Sequence, residues 1–281
     1  MNEQLKKKVD QAIRLLQTSC KDKEVELCYS GGKDSDVILE LAKMAGINYR
    51  AIYKSTTIDP EGTIAHVKSK GVEIRRPKMS FLEIVKKKGM PTMRARFCCE
   101  ILKEYKILDN AIQGIRRCES TKRSKLYSEE EPIICRIYGS KKNHVNVILP
   151  ILNWSDKDVE EFIADRHIQC APVYYDENGS FHVERRLGCI GCPLKADRGK
   201  ADFKKYPKFA KLVINAIKQF MDTHPNCSSI KKFRDAYNLF FHNVFCNTYD
   251  EYIQRTQTGL LWGGGKPDIK KLMENYFGIE L

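Results

Sequence analysis

The sequence predicts an α/β fold: a doubly wound, mostly parallel sheet followed by a helical C-terminal part. Three observations carry that expectation. Short apolar runs alternate with helix-period segments along the N-terminal part of the chain, the pattern of βαβ units. The strand-like run 25–29 opens through Ser-Gly-Gly-Lys-Asp-Ser straight into a helical pattern. Beyond Pro193 the strand pattern ends and helical patterns with aromatic faces replace it. At 281 residues the chain is long enough for two domains, which we expect at 1–198 and 199–281.

The elements follow in order. Residues 1–17 read as an amphipathic helix with Val9, Ile13, Leu15 and Leu16 inward, lacking the apolar core and cleavage site of a secretory signal. In the strand 25–29, Val25, Leu27 and Tyr29 alternate with Glu26 and Cys28; in the helix 34–45, Val37, Ile38, Leu39, Leu41 and Ala42 form the apolar face. Further strands are expected at 49–53, 72–75, 110–115 and 145–149, and helices at 60–70, 80–87, 98–106 and 156–165. The last has Ser155 as N-cap and acidic residues in its first turn. The segment TKRSKLYSEE, 121–130, is charged and without apolar period, and reads as a surface or substrate-ordered loop. After Pro193, ADFKKYPKFAKLVINAIKQFMDTH and SSIKKFRDAYNLFFHNVFCNTYDEYI are helical, with aromatics expected in the core. The glycines at 263–265 lack a following helix signature and read as a turn.

The loop between the first strand and its helix has the chemistry of an anion cradle. Gly31 and Gly32 admit positive φ and let backbone N–H groups approach a ligand, and the helix's first turn offers unpaired donors at the positive end of its dipole. Lys33 adds a mobile charge, and Ser30 and Ser35 add hydroxyl donors. The spacing is not that of a Walker loop, which ends in Gly-Lys-Ser/Thr.

Eleven cysteines in a chain this long are not the paired framework of a small secreted domain. Cys20, Cys28, Cys118, Cys135, Cys170, Cys227 and Cys246 stand singly, as small buried hydrophobes do. Cys98 and Cys99 adjoin, and Cys189 and Cys192 form C-x-x-C in a turn shaped by Gly188, Gly191 and Pro193. Alone, the C-x-x-C is open to zinc, a redox pair or chance; with a second thiol pair about ninety residues upstream a four-thiolate site is expected, for an iron–sulfur cluster or zinc, the alternative being unrelated pairs with Cys98 in the core. The formal net charge of +13 suits a polyanionic partner such as nucleic acid, and equally a solvated lysine surface. No long uncharged apolar run is present, so no membrane association is expected and a cytoplasmic location is the default.

These motifs bring a resemblance with them. SGGKDS at 30–35, FCCEILK at 97–103, GIRRCESTKR at 114–123, LPILNWSDKDVEEFI at 149–163, APVYYDENG at 171–179 and RRLGCIGCP at 185–193 resemble, in that order, the phosphoadenosine phosphosulfate (PAPS) reductase family of the adenine-nucleotide α-hydrolase, or PP-loop ATP pyrophosphatase, superfamily. The resemblance implies that 1–198 is a nucleotide-binding domain. It implies an ATP phosphate site at Ser30, Gly31, Gly32, Lys33, Asp34, Ser35 and Gly114, with adenine and ribose near Tyr53, Lys54, Ser55 and Thr57. Lys33, Asp34, Arg116 and Arg123 are then the catalytic group: Lys33 on departing pyrophosphate, Arg116 and Arg123 on the α-phosphate, and Asp34 toward the Mg²⁺ that accompanies ATP. Glu119 and Ser120 would orient the arginines.

Members that split ATP keep an intact Ser-Gly-Gly-Lys-Asp-Ser loop, and this chain has one. Sulfonucleotide reductases usually alter that loop and carry a Glu-Cys-Gly-x-His segment, whereas GLLWGGGKPDIKKLMENYFGIEL holds no cysteine. The cysteine pattern resembles that of adenylylsulfate reductases and of enzymes that put sulfur into nucleic acids, which implies a [4Fe–4S] cluster on Cys98, Cys99, Cys189 and Cys192. The expected function is ATP-dependent activation of an acceptor in sulfur transfer, with tRNA or DNA as acceptor and a sulfur- or electron-donating protein as partner. The alternative is a PAPS or adenylylsulfate reductase. Oligomeric state is open.

Overall fold

The computed structural model of the chain describes residues 1–138, 143–257 and 267–281. The expected turn at 263–265 lies outside the described residues. Contacts group the chain into two units. The first comprises Met1–Ser55, Asp59–Pro77 and Glu100–Leu187, and the second Thr56–Ile58, Lys78–Cys99 and Gly188–Leu281. The expected division at residue 198 follows a change of sequence pattern, whereas these units follow packing.

The first unit holds the sheet. Its strands are β1 (Glu26–Tyr29), β2 (Arg50–Lys54), β3 (Glu73–Arg75), β4 (Asn110–Ile112), β5 (Ile133–Tyr138) and β6 (Asn143–Ile148), in the order β3-β2-β1-β4-β6-β5. β1 runs parallel to β2 and β4, β2 to β3, and β4 to β6; β5 alone is antiparallel, paired with β6 from Ile133↔Ile148 to Tyr138↔Asn143. The expected mostly parallel, doubly wound sheet is therefore present. Strand order reverses between β1 and β4, which leaves a crevice beyond their carboxyl ends.

Alternation along the strands builds a core on each face. Leu27, Tyr29, Ile112 and Ile148 pack with Leu5, Val9 and Leu16 of the helix Glu3–Ser19, Val37, Ile38 and Leu41 of Lys33–Ala45, and Phe162 of Asp156–Asp165. On the opposite face Ala111, Val145 and Val147 meet Ile107, Tyr127, Leu149 and Leu152. Because β1 is covered on both faces, Glu26 is fully buried rather than turned to solvent. Its carboxylate accepts from the Lys54 ammonium at 2.7 Å, and the Arg75 guanidinium stands 3.9 Å away.

Several elements differ from expectation in instructive ways. The segment expected as a loop at 121–130 contains a short helix, Thr121–Leu126, started by Ser120, whose hydroxyl accepts from the Arg123 N–H at 3.2 Å. None of its residues is buried, so an apolar period had nothing to mark. The helix expected at 60–70 shortens to Thr63–Ser69, behind Gly62 at φ 80°. That expected at 98–106 shortens to Phe97–Leu102. Asp156–Asp165 falls where its cap places it.

The second unit is helical. Phe81–Lys88, Pro207–Thr223, Ala236–Phe245, Tyr249–Gln257 and Ile269–Phe277 are its longer helices, with Lys200–Lys205 and Ser228–Phe233 between them. Phe203, Phe240, Val213 and Ile217 are buried, and the Phe203 and Phe240 rings meet edge-on at 5.0 Å. The aromatic faces are thus core. Phe81–Lys88 packs along Pro207–Thr223, which draws residues 78–99 into this unit. No described helix is long and apolar enough to cross a membrane.

Candidate active site

The loop after β1 forms one wall of the crevice. Gly31 has φ 77°, a conformation that favours glycine, while Gly32 is extended at φ −89° and serves as N-cap of Lys33–Ala45. The N-cap Gly32 has no side chain to cap that helix, and of its first N–H groups Lys33 donates to the Tyr174 hydroxyl and Ser35 to the Gly32 carbonyl at 2.9 Å. The loop also braces itself. The Ser35 hydroxyl donates to the Gly32 carbonyl at 2.6 Å, the Ser30 hydroxyl to Ser35 Oγ at 3.3 Å, and the Gly32 N–H to Ser30 Oγ at 3.4 Å. Gly114, just past β4, lets that chain touch the helix: a Cβ there would lie 2.9 Å from the Asp34 carbonyl oxygen.

A cavity of about 290 Å³ opens on this loop, lined by Ser30, Gly32, Lys33, Asp34, Ser35 and Gly114 together with Cys28, Glu119, Arg123, Tyr174, Arg186 and Leu187. Lys33 is 3% exposed; its ammonium pairs with Asp34 at 3.2 Å and stands 5.5 Å from the Tyr174 ring centre. Arg123 pairs with Glu119, and Arg186 donates to the Glu119 carbonyl at 3.0 Å. Burial, with the nearby Arg186 and Arg136 charges, holds Arg123 below the ordinary guanidinium value against the opposing pull of Tyr127 and Asp34. Burial pushes the Tyr174 hydroxyl up to about 12, so it is a neutral donor and acceptor over the loop.

Arg116 is placed differently from its motif neighbour. It is 1% exposed, and its guanidinium donates to Asp34 Oδ1 at 2.6 Å and Asp156 Oδ1 at 2.8 Å. It does not line the cavity. Asp34, held by Arg116 on one oxygen and Lys33 on the other, does not fit as an open Mg²⁺ ligand. Tyr53 and Ser55 are buried at the end of β2 and do not line this cavity either; the Ser55 hydroxyl donates to Asp59 at 2.8 Å.

All four candidate metal ligands fall in the second unit, and all are partly buried. Cys189 and Cys192 close a turn in which the Cys192 N–H donates to the Cys189 carbonyl at 3.3 Å. Gly191 takes φ 68°, and a Cβ there would strike the Phe203 ring at 2.5 Å. The Cys98 thiol is pushed far up by its hydrogen bond to Cys99, by burial, and by the neighbouring Cys99, Cys189 and Cys192. Arg96 Nη2 lies 3.9 Å from Cys99 Sγ. Among the described residues no three His, Cys, Asp or Glu stand ready as a metal-ligand set. The donor chemistry nonetheless fits a thiolate-bound metal group, whose positive metal centres would relieve the mutual repulsion of four sulfurs.

The PAPS reductase domain matches residues 24–195, more than half of the chain. The chain belongs to the phosphoadenosine phosphosulfate reductase domain family. An uncharacterized protein of Methanocaldococcus jannaschii is 31% identical over 235 residues, which are 78% of this chain and 54% of that protein. The chain thus spans about half the length of the curated relative it matches. Among solved structures it is similar to PAPS reductase from Candida auris in a phosphate complex (15% identity, TM-score 0.44, 67% of this chain and 96% of that one). It is also similar to Candida glabrata FMN adenylyltransferase (14%, 0.45, 67% and 62%) and to the U34-tRNA thiolase NcsA of Methanococcus maripaludis with its [4Fe–4S] cluster (12%, 0.39, 79% and 82%).

In this member of the PAPS reductase domain family, the sequence reading of the cavity missed Tyr174, Arg186 and Leu187. Tyr174 sits in APVYYDENG, and Arg186 and Leu187 in RRLGCIGCP, both quoted as motifs but without assigned contacts at the loop. The paired arginines at 185 and 186 were the available signal. Arg185 turns to the carbonyls of Tyr175 at 2.6 Å and Val173 at 3.4 Å, leaving Arg186 as the member that lines the cavity.

Proposed function

We propose that the chain is an ATP-using enzyme that activates an acceptor in sulfur transfer to nucleic acid and releases pyrophosphate. One observation carries this reading: the helix N-terminus at Gly32, the Lys33 ammonium and the Arg123 and Arg186 guanidinium groups converge on a single cavity at the strand-order reversal. An acceptor oxygen attacks the α-phosphorus of ATP, the bond from that phosphorus to the bridging oxygen breaks, and the departing pyrophosphate takes the electron pair. The Lys33 ammonium and the positive end of its helix meet that charge, and Arg123 with Arg186 meets the α-phosphate. Mg²⁺ enters as part of the nucleotide substrate. Arg116 and Asp34 hold Lys33 in place from behind.

Cys98, Cys99, Cys189 and Cys192 are assigned to a [4Fe–4S] cluster, zinc being the other metal such thiols bind. A sulfur- or electron-donating protein is the expected partner. Adenine and ribose are assigned to the end of β2 near Tyr53 and Ser55. The test is anaerobic ATP–pyrophosphate exchange against tRNA, DNA, sulfate and small thiols. Exchange stimulated by tRNA or DNA supports the reading, and metal-replete protein that neither binds ATP nor exchanges with any acceptor defeats it.

Family membership favours a second reading, reduction of PAPS or adenylylsulfate. Sulfite release from either sulfonucleotide with a thioredoxin-type donor, without pyrophosphate exchange, selects it.

A further inference from the structure

Nearly all of the excess positive charge lies in the helical unit. It carries 21 Lys and Arg against 10 Asp and Glu, whereas the sheet unit carries 28 against 26, which together account for the +13 of the chain. Charge so concentrated marks where a polyanion is drawn.

Within that unit, Lys231, Lys232 and Arg234 line one cavity of about 350 Å³, with Asn238, Tyr249 and Thr256 among its other walls. All three cations are exposed. Among the described lining residues there is no Asp or Glu. The adjacent Asp235 caps the next helix, accepting from the Asn238 N–H and from its Nδ2, each at 2.8 Å. Arg234, at φ 65°, ends the helix Ser228–Phe233 in the left-handed region. The aromatic wall is fixed: Tyr249 and Tyr252 stack at 5.7 Å, the Tyr252 hydroxyl donates to Asn238 Oδ1 at 2.8 Å, and the Lys232 ammonium lies 3.7 Å from the Tyr249 ring centre. A concave site with three cations, hydroxyl and amide groups, and a flat aromatic side matches a phosphate flanked by sugar and base.

We propose that this cavity docks the phosphodiester backbone of the nucleic-acid acceptor. It rests on the reading above in taking the acceptor to be nucleic acid. The test is equilibrium binding of unfractionated tRNA and of a single-stranded DNA oligonucleotide to the full chain, without ATP, across a salt series. The triple variant Lys231→Gln, Lys232→Gln, Arg234→Gln is compared with Lys86→Gln, Lys87→Gln, Lys88→Gln, which removes the same charge from exposed positions of the same unit.

The cavity variant should weaken binding of at least one polymer by about tenfold or more. It should also flatten the slope of log Kd against log salt by about 2 to 3, since each phosphate contact contributes about 0.7 to 0.9. The control should change affinity by no more than about threefold, and both variants should melt with the native protein. Equal weakening by the two variants, or native affinity and slope in the cavity variant, overturns the proposal. So does an equal loss of polyglutamate binding, which would assign the cavity to an acidic polypeptide. Because binding is read without nucleotide, cavity-dependent binding with no exchange activity would defeat the activation reading and leave this one standing.

Discussion

Lys33 and Arg116 stand within one network around Asp34 and do different work. Lys33 is buried at the cavity wall, and its removal leaves Asp34 paired with Arg116 through the 2.6 Å bond. Lys33→Ala should therefore melt within a few degrees of the native protein yet lose roughly a hundred- to a thousandfold in ATP–pyrophosphate exchange, the usual cost of deleting a group that stabilises transition-state charge. Arg116→Ala removes a buried guanidinium that pairs with two carboxylates, leaving Asp34 to Lys33 alone and the exposed Asp156 to solvent, at a cost of about 3 kcal/mol. Its melting temperature should fall by about 10 °C. Melting both variants by calorimetry separates the roles; equal stability would place Arg116 with the substrate instead. The sequence marked Arg116 and Arg123 of GIRRCESTKR alike, because a motif records residue type but not which guanidinium the chain buries.

The cap of Asp156–Asp165 shows the same physics in a whole element. Ser155 and Asp158 form a reciprocal capping box, and the Asp158 carboxylate also takes the Lys8 ammonium at 2.6 Å, tying this helix to Glu3–Ser19. Burial alone would raise the Asp158 carboxyl; the Lys8 ammonium and the Ser155 N–H and hydroxyl outweigh it and hold it below the ordinary range. A carboxyl lowered on folding stabilises the native state above its unfolded value, and that contribution fades as pH falls through the native one. Asp158→Asn should cost on the order of 1–2 kcal/mol near neutrality. The deficit should begin to shrink below about pH 4, where the carboxyl of the unfolded chain takes up its proton, and disappear below the lower native value. Urea melts at pH 7 and pH 3 check this, and a deficit equal at both would refute it. That helix was legible because its cap and apolar period are local. β5 was not: Ile133–Tyr138 alternates only weakly in burial at the sheet edge, and its antiparallel pairing breaks the βαβ rhythm that located its neighbours. Glu26, fully buried, meets a related limit, since alternation cannot tell a solvent-facing position from one covered by a second layer.

At the scale of the molecule, packing gathers into one unit segments that lie far apart in the chain. The sequence separates Cys98 and Cys99 from Cys189 and Cys192 by about ninety residues, and their spacing left cluster, zinc and unrelated pairs all open. The helical unit takes residues 78–99 together with 188–281, through packing of Phe81–Lys88 on Pro207–Thr223, and so contains both pairs. Long-range packing of this kind leaves no local signature, which is why the sequence joins the two pairs only through thiol chemistry and the family resemblance. Metal binding to such a set is coupled to folding of the elements that carry it. Anaerobically purified protein should be brown, with about four irons per chain for a cubane. Cys98→Ser, Cys99→Ser, Cys189→Ser and Cys192→Ser should each bleach the visible absorption and lower the melting temperature of the helical unit, because in the proposed site each cysteine would tie its segment to the metal. Cys227→Ser, at a half-buried position outside the set, should do neither. Colourless anaerobic protein with one zinc per chain would replace the cluster by the ion while keeping the four ligands. Full absorption in a Cys98→Ser, Cys189→Ser double variant would remove the four-thiolate site altogether.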